Sequence, residues 1–496
     1  MSRVMVILID AMDSIQLARY ESDLPNLRRL KDASPAVKSM SVYPPDSPTA
    51  LTSIYTGLNP ARHGVVHFID PLEKANTNGQ DDFDNTVLKG KTFWDIAGKN
   101  GKKVCVVLPY LGYPPWQVNG IMVAKSAVKD GVQIFPESLS EEYNLPLLNT
   151  IKGFPGRGTK LDRYLEKQKE LASHKLDFAQ SMLVRDKWDL FFFYSGIIDS
   201  IHHRFWRYCD KNDPSYPGPN PYQDVIKDFY ILHDRMVGKL IEAAGSDTAV
   251  ILLSDHGHGM RPVKLLNINE LLRQKGLLIP RAAGPAGRGV LRAVEKAKRT
   301  ALNFVSRHDM GNAAAKLLRL FPAAKKVYTS PLSIDWSKTV AYVSDLSGVK
   351  SYPYGGININ RDKLAGRDYE KLRDLIIKEV SEMRNPDNGE KLVNLVCRRE
   401  DLYSGEYIGK YPDIVLELKD DWGIGWAIND SLFGSSPSHN LVPGSHKLRS
   451  PVFFISNTGE KKVAKKDVEL IDVAPTVLDL LDINGDFNFD GRSILG

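Results

Sequence analysis

The chain has 496 residues, of which 42% are hydrophobic and 25% are charged, a composition typical of globular proteins rather than of disordered chains. Its net charge of +6 suits anionic ligands but does not by itself indicate nucleic-acid binding. The three cysteines, Cys105, Cys209 and Cys397, are far apart, which argues against a disulfide framework and favours a reducing, cytoplasmic location.

The first apolar run, residues 4–9, ends on Asp10 and has no cleavage-type segment after it, which favours a buried strand over a signal peptide. Similar continuous runs follow it along the chain, and such runs are typical of strands whose two faces are both covered by helices. These later runs are residues 103–108, 189–194, 249–254 and 451–456.

Amphipathic patterns between the apolar runs predict helices over residues 159–186 and 222–245, and a further helix that begins near Pro475. No apolar run approaches the ~20 residues that a membrane-spanning helix needs. The alternation of strands and helices predicts an α/β fold in which helices sandwich a central, mostly parallel sheet.

One segment differs in composition from the rest. Residues 281–326 are rich in Lys and Arg and contain two acids, Glu295 and Asp309. We interpret residues 281–330 as an inserted cap segment between two parts of a catalytic core, 1–280 and 331–496, the second with a small subdomain. The helical pattern at 288–307 is either a solvated face or a surface for peripheral contact with anionic lipid or substrate.

Polar side chains follow three of the predicted strands, and His446 lies shortly before another. In open α/β sheets, catalytic groups gather at the carboxyl ends of strands. Taken singly, each of these side chains has a simpler interpretation, because an Asp can cap a helix and a His can be a buried packing residue. Together, their oxygen and imidazole donors favour a site for Zn²⁺, Mn²⁺ or Fe. These residues are Asp10, Asp199 with His203 one turn later, the pair Asp255 and His256, and His446.

Several motifs follow one another in an order that a known enzyme superfamily shares. They are ILIDAMD, PPDSPTALTSIYTGLNPARHG, DSIHHRFW, SDHG, GSH, DVAPTVLDLLDI and DGRS. In this order they resemble the alkaline phosphatase superfamily, in its type I phosphodiesterase/nucleotide pyrophosphatase branch and the group described as predicted phosphohydrolases/phosphomutases. The motifs extend from residue 4 to residue 493, so the resemblance implies an alkaline-phosphatase-like fold for the whole chain.

The resemblance implies a site with two divalent metal ions, for which we expect Zn²⁺, with Mn²⁺ or Fe as alternatives. The register of its motif places the nucleophile at Ser47, nine residues before Thr56, and leaves Thr49 as the alternative. Ser47 would form a phosphoseryl intermediate that water then hydrolyses. The implied ligands are Asp10, Asp255, His256 and the Ser47 oxygen for one ion, and Asp199, His203 and His446 for the other.

The chain departs from the family pattern at two positions near the nucleophile and the first Asp. Ala11 stands in place of a glycine, and Ala50 stands in place of an asparagine that helps to hold the phosphoryl oxygen in nucleotide pyrophosphatases. Another group must therefore donate to that oxygen. We assign no role to Asp46, and we interpret His202 and His258 as packing or surface residues ahead of contacts to metal or substrate.

The leading hypothesis is a metal-dependent phosphodiesterase that acts on a small phosphate ester, with nucleotides and lipid head groups as candidate substrates. Phosphomonoesterase and phosphotransferase or mutase activity on the same metal core are the alternatives. A non-catalytic binding protein on this fold is disfavoured because the implied ligand set is complete. We expect no specific nucleic-acid binding, since the sequence lacks a basic stripe with interleaved aromatic residues.

Overall fold

The structure is a computed structural model, and it describes most of the chain. The described residues are 3–66, 85–126, 130–151, 159–281, 300, 334–344, 351–428, 431–436, 438–440 and 442–496. The predicted cap segment, including its helical pattern at 288–307, lies outside the described residues except for residues 281 and 300.

The helices follow the predicted amphipathic segments and add several shorter ones. In chain order they are α1 (Ser14–Tyr20), α2 (Pro25–Ala33), α3 (Ser47–Thr56), α4 (Pro60–His63), α5 (Phe93–Lys99), α6 (Thr159–Arg185), α7 (Ile197–Cys209), α8 (Val225–Ala244), α9 (Ile268–Gln274), α10 (Tyr369–Ser381) and α11 (Val473–Leu480). The predicted helices correspond to α6, α8 and α11. Among the described residues, no helix has the length and apolarity required to cross a membrane.

The strands are short. In chain order they are β1 (Arg3–Ile9), β2 (Lys38–Met40), β3 (Val104–Val107), β4 (Gly120–Lys125), β5 (Val132–Phe135), β6 (Leu190–Ser195), β7 (Thr248–Leu253), β8 (Gly257–Met260), β9 (Lys264–Asn267), β10 (Ala341–Ser344), β11 (Tyr354–Ile359), β12 (Val393–Arg398), β13 (Ile414–Leu418), β14 (Trp422–Gly425), β15 (Phe433–Ser435), β16 (Gly444–Lys447), β17 (Phe453–Ser456) and β18 (Asp467–Glu469). The five predicted strands are β1, β3, β6, β7 and β17.

The chain divides into two compact units. One comprises Met1–Val66, Gln80–Gly259 and His446–Gly496, and the other comprises His67–Gly79 and Met260–Ser445. The three ranges predicted from the sequence stay a prediction.

The first unit is built on a seven-stranded sheet of order β17-β7-β1-β6-β3-β4-β5. Neighbours from β7 to β4 run parallel, and the two edge strands β17 and β5 run antiparallel to them. In β1, Val4, Val6 and Leu8 share one core cluster with residues of α3, α5 and α11, and the side chains on the other face are buried too. A mostly parallel sheet covered on both faces confirms the predicted fold class.

The second unit has a core of its own. Its four-stranded sheet has the order β10-β11-β13-β12 with antiparallel neighbours, and a smaller sheet has the order β14-β9-β15. Apolar residues of α9 and α10 share one core cluster with strands of both sheets.

Candidate active site

The predicted carboxylates come from the ends of three adjacent strands. β7, β1 and β6 are parallel neighbours, so their carboxyl ends lie at one edge of the sheet. Asp10 follows β1 directly, Asp255 comes two residues after β7, and Asp199 lies in the first turn of α7, which follows β6. The sheet topology therefore brings together carboxylates that are far apart in the sequence.

The turn after β1 fixes the orientation of Asp255. Ala11 has a φ of 59°, a left-handed conformation that costs a residue with a Cβ about 1 kcal/mol. In this conformation the N–H of Ala11 donates to Oδ1 of Asp255 at 3.2 Å, and the N–H of His256 donates to the same oxygen at 3.0 Å. Among the described residues, Oδ2 of Asp255 has no hydrogen-bond partner. Alanine in place of glycine thus preserves the turn at a small cost.

Tyr194 fixes the orientation of Asp10. Its hydroxyl donates to Oδ2 of Asp10 at 2.5 Å, whereas Oδ1 of Asp10 is buried and lacks a hydrogen-bond partner within the described part of the chain. The sequence analysis did not identify Tyr194. The feature that could have indicated Tyr194 is its position near the end of β6. In the parallel register of β1 and β6, Tyr194 lies beside Leu8, which is two residues before Asp10.

His256 connects these carboxylates with Ser47. Its Nδ1 lies 3.0 Å from the carbonyl oxygen of Gly257, so we assign the ring proton to Nδ1 and the lone pair to Nε2. That Nε2 lies 3.5 Å from Oδ1 of Asp10, 3.4 Å from Oδ2 of Asp255 and 3.1 Å from Oγ of Ser47. Asp10, Ser47, Asp255 and His256 are called the first cluster below.

The second cluster consists of Asp199, His203, His258 and His446. Nε2 of His203 lies 3.2 Å from Oδ1 of Asp199 and 3.0 Å from Nε2 of His446. Oδ1 of Asp199 lies 3.6 Å from Nε2 of His446 and 3.9 Å from Nε2 of His258. Nδ1 of His446 donates to the carbonyl oxygen of Pro45 at 2.9 Å, which leaves the lone pair of His446 on Nε2.

The two clusters are adjacent but differ in charge. Burial and repulsion from Asp255 raise the pKa of Asp10 well above its usual value, and burial also raises the pKa of Asp255. Burial lowers the pKa of His446 to about 3. The pKa of Asp199 lies well below its usual value, because the effects of His203 and His446 outweigh that of burial. The first cluster is therefore short of positive charge, and the second offers the neutral nitrogen lone pair of His446.

Both clusters fit a divalent cation. Two ligand atoms of one tetrahedral Zn²⁺ are about 3.3 Å apart, given metal–ligand distances of about 2.0–2.2 Å. The separations above are close to this value, from 3.1 to 3.5 Å in the first cluster and from 3.0 to 3.9 Å in the second. The rings of His256 and His446 stack at 3.9 Å, which makes the two clusters neighbours. The orphaned buried carboxylate oxygens of Asp10 and Asp255 are the groups that a cation would satisfy.

The structure brings the seven predicted site residues together. Ser47 is the first residue of α3, partly exposed, with Asp46 as its N-cap. Thr49, the alternative nucleophile, is fully buried in that helix, and its Oγ1 has no partner among the described residues. Asp46 lies 3.6 Å from Nδ1 of His446. The seven residues are Asp10, Ser47, Asp199, His203, Asp255, His256 and His446.

His258 joins the second cluster, although the sequence analysis did not predict it as a ligand. The sequence feature that could have indicated His258 is the second histidine in SDHGHG. His202 is equally buried but lies outside both clusters, with its ring 4.7 Å from that of His258.

Comparisons with known proteins identify the family and the fold. The sequence model described as type I phosphodiesterase/nucleotide pyrophosphatase matches residues 4–438. No curated protein matches the sequence significantly. Phosphonoacetate hydrolase from Sinorhizobium meliloti 1021, solved with phosphonoacetate, is similar with a TM-score of 0.55 and 14% identity over 97% of this chain and 96% of that one. Its complex with phosphonoformate gives a TM-score of 0.54 and 13% identity over the same shares.

Murine ectonucleotide pyrophosphatase/phosphodiesterase 5, solved as an inactive variant with AMP, is similar with a TM-score of 0.50 and 13% identity over 100% of both chains. At these identities the solved structures show the fold alone, and they agree with the predicted alkaline-phosphatase-like architecture. The family rests on the sequence model, which covers most of the chain. The chain therefore belongs to the type I phosphodiesterase/nucleotide pyrophosphatase family of the alkaline phosphatase superfamily and is a phosphoric ester hydrolase.

Proposed function

We propose that the protein is a metal-dependent phosphodiesterase in which Ser47 forms a phosphoseryl intermediate. One observation carries the proposal: Oγ of Ser47 lies 3.1 Å from Nε2 of His256, in a cluster with two buried carboxylates. A serine hydroxyl is a weak nucleophile at neutral pH unless a neighbouring group or cation activates it. The family supports a phosphoric ester as the substrate.

Ser47 is better placed for attack than Thr49. Ser47 begins α3 and is partly exposed, and the amino end of a helix favours a phosphoryl group through its free N–H groups. In the first step, Oγ of Ser47 attacks phosphorus and the P–O bond to the leaving group breaks. The hydroxyl proton passes to solvent, from which the leaving alkoxide takes a proton to become the alcohol. In the second step, water attacks the phosphoserine and restores Ser47, and an alcohol in its place would give transfer.

We assign one cation to the first cluster and one to the second, with Zn²⁺ as the expected metal and Mn²⁺ or Fe as alternatives. Bound cations would lower the pKa of the Ser47 hydroxyl and neutralise charge on the phosphoryl oxygens. The protein's own contribution is to hold the ligands. Tyr194 orients Asp10, Ala11 orients Asp255, and the carbonyl group of Pro45 orients His446.

The preference for diesters over monoesters is part of the proposal and rests on the family description. Nucleotides and lipid head groups are the candidate substrates, and phosphomonoesterase or phosphotransferase activity is the alternative. We also propose a cytoplasmic location, supported by the unpaired state of Cys105, Cys209 and Cys397.

A paired assay tests the function. The metal-stripped protein is reloaded with Zn²⁺, Mn²⁺ or Mg²⁺, and each form receives bis-p-nitrophenyl phosphate or p-nitrophenyl phosphate at equal concentration. We expect hydrolysis that depends on the metal and prefers the diester. Preference for the monoester would move the protein to the phosphatase or mutase alternative, and metal-independent hydrolysis would contradict the two-metal mechanism.

The intermediate is tested separately. The enzyme is denatured with acid during turnover, and the peptide that contains Ser47 and Thr49 is analysed by tandem mass spectrometry. We expect Ser47 to carry one added phosphoryl group that still bears the second ester alcohol of the diester. A phosphoryl group on Thr49 would move the nucleophile, and hydrolysis with no modified peptide, even with the slowest substrate, would favour direct attack by water.

A further inference from the structure

The imidazole of His258 has an environment that packing alone does not explain. The side chain is 2% exposed, and neither ring nitrogen has a hydrogen-bond partner among the described residues. A neutral imidazole carries one donor and one acceptor, and burial of an unpaired polar group costs about 1–3 kcal/mol. A ligand that satisfies one of the nitrogens would remove part of this cost.

The position of the ring shows which ligand this is. Nε2 of His258 lies 3.9 Å from Oδ1 of Asp199, and its ring centroid lies 4.6 Å from that of His203 and 5.8 Å from that of His446. One donor atom from each of the four side chains lies within 4.8 Å of the other three. The four donors thus surround one small space.

The backbone and the neighbouring rings hold His258 in this place. Its N–H donates to Oδ2 of Asp13 at 3.1 Å, and Asp13 also accepts from the hydroxyl of Ser450. The indole of Trp206 stacks on the His258 ring at a centroid distance of 5.9 Å, and the ring of His202 lies 4.7 Å away. The ring is therefore oriented by packing, whereas a backbone carbonyl orients His446.

We propose that His258 is a fourth protein ligand of the cation held by Asp199, His203 and His446. The inference rests on the proposed two-metal function and adds to it a specific difference between the two sites. The second cluster then supplies three imidazoles and one carboxylate, a set that favours Zn²⁺ or Co²⁺ over Mg²⁺. The first cluster completes its set with Ser47, whose oxygen forms a bond to phosphorus during the reaction.

Four protein ligands make the second site nearly closed, as in structural zinc sites, whereas catalytic sites keep a position for water or substrate. A substrate oxygen would reach this cation only if the coordination number rises or a ligand moves. Because only packing orients His258, it is the ligand best able to move. We therefore expect the cation of the second cluster to be the more tightly held of the two.

The test measures metal binding rather than turnover. Full-length wild type, His258→Phe and the matched control His202→Phe are titrated with Co²⁺ and Zn²⁺ against a competing chelator, and the visible spectrum of bound Co²⁺ is recorded. We expect His258→Phe to bind one of its two cations at least about tenfold more weakly, because loss of even an outer-shell partner costs about that much affinity. We also expect the visible spectrum of bound Co²⁺ to change. His202→Phe should retain both affinities and the wild-type spectrum.

Each other outcome decides a different question. If wild type binds two cations and His258→Phe matches it in affinity and spectrum, His258 is not a ligand and the two-metal function stands. If His202→Phe loses the same affinity, packing explains the effect and the inference falls. If wild type binds no cation, the inference and the proposed function both fall.

If His258→Phe does not fold, a second measurement uses the wild type loaded with one Zn²⁺ per chain, and X-ray absorption reports the ligands of that ion. We expect the tightly held ion to show three imidazole ligands. Two imidazoles would exclude His258.

A separate observation concerns the loop after β3. Leu108 and Leu111 have φ values of 60° and 62°, a left-handed conformation that is strained for a bulky residue, and between them lies Tyr110. The ring of Tyr110 lies 6.1 Å from that of Tyr194, whose hydroxyl holds Asp10. The side chain of Tyr110 is partly exposed, whereas that of Tyr194 is buried.

We infer that the Tyr110 hydroxyl donates to the phosphoryl group, the function that Ala50 cannot serve because its side chain has no polar atom. Burial and the carboxylates of Asp46 and Asp10 raise the pKa of Tyr110, so the phenol keeps its proton. Preorganised donors of this kind stabilise the charge that develops in the transition state.

The variant Tyr110→Phe tests this second inference, with Tyr113→Phe in the same loop as the control. Loss of one such donor costs about 10²–10³-fold in kcat. We expect a loss of this order for Tyr110→Phe, with unchanged metal content and weaker inhibition by vanadate, and no loss for Tyr113→Phe. Unchanged kcat and vanadate inhibition in Tyr110→Phe would exclude the role.

Discussion

The two clusters lie at the same edge of one sheet but have opposite compositions. The first combines two carboxylates, one imidazole and a hydroxyl, and the second combines one carboxylate and three imidazoles. Repulsion and burial raise the pKa of Asp10 in the first cluster, whereas neighbouring imidazoles hold the pKa of Asp199 low in the second.

This difference suggests a division of tasks. A cation in the first cluster would relieve strong repulsion between buried carboxylates and would lie beside the nucleophile. A cation in the second cluster would be held mainly by imidazole nitrogens, and Ser47 is not among its ligands. The first cluster is thus suited to activation of Ser47, and the second to binding a phosphoryl oxygen once its coordination number rises or His258 moves.

The largest expected effect comes from the nucleophile itself. Ser47→Ala should lower kcat by about 10⁴-fold or more, as removal of the nucleophile does in covalent mechanisms. The cations should remain, because carboxylates and imidazoles supply the other ligands. Steady-state kinetics and metal analysis on one preparation measure both quantities.

Thr49→Val is the matched control for this variant. Thr49 is fully buried and its Oγ1 has no partner among the described residues, so a methyl group in its place should cost neither stability nor activity. A normal rate in Ser47→Ala, or a comparable loss in Thr49→Val, would transfer the role to Thr49 or to water.

Replacement of one carboxylate by its amide in each cluster is expected to show that the two clusters have different tasks. Asp255→Asn should lose the cation beside Ser47 and most of its activity, roughly 10²–10³-fold or more, the scale of a lost electrostatic contact in a transition state. Asp199→Asn should lose the other cation and raise KM for the substrate. Metal analysis of both variants, with substrate saturation curves, gives the comparison, and a fully metallated, active Asp255→Asn would break the assignment.

The sequence allowed prediction of the residues whose positions follow from sheet topology. Asp10 and Asp255 end continuous apolar strands, and the carboxyl ends of parallel strands must lie at one edge. Ser47 was predicted through the resemblance alone. His446 was noted from its place shortly before a strand, but its role as a ligand came from the resemblance, since neither spacing nor periodicity places the start of α3 or a distant strand beside Asp10.

Other features could not be predicted because they depend on side-chain packing between distant segments. Tyr194 is one of several residues in an apolar run, and only the register of β1 and β6 places it beside Leu8, two residues before Asp10. His258 becomes a cluster member only through the position of α7. The four-stranded sheet of the second unit was not predicted; its strand β12 is mostly half-buried and lacks a continuous buried run.

Tyr194→Phe tests how much the first cluster depends on orientation. Without the hydroxyl, Oδ2 of Asp10 loses its donor and the carboxylate can rotate. We expect cation affinity at the first cluster to fall by about 10–100-fold, the usual cost of a lost outer-shell partner, with affinity at the second unchanged. Chelator competition measures both affinities, and an equal loss at both clusters would point to a general packing defect instead.

The smallest effect is on the stability of the metal-free protein. The pKa values of Asp10 and Asp255 are raised in the native state. At pH values above the usual carboxyl pKa, the native state therefore binds more protons than the unfolded state. The contribution of this cluster to stability thus falls as the pH rises. Asp255→Asn should therefore stabilise the metal-free fold at neutral pH by about 1 kcal/mol or more, roughly the free energy of one unit of pKa shift. The gain should shrink in mild acid.

His446 should show the opposite trend. Its pKa falls from 6.5 to about 3, so the unfolded state binds more protons between these values and the contribution of this histidine is lost as pH falls. His446→Gln should thus lose less stability on acidification than wild type does. Urea unfolding of the metal-free proteins at neutral and mildly acidic pH measures both trends. Parallel pH dependence in the two variants would mean that the clusters do not differ in charge as the structure indicates.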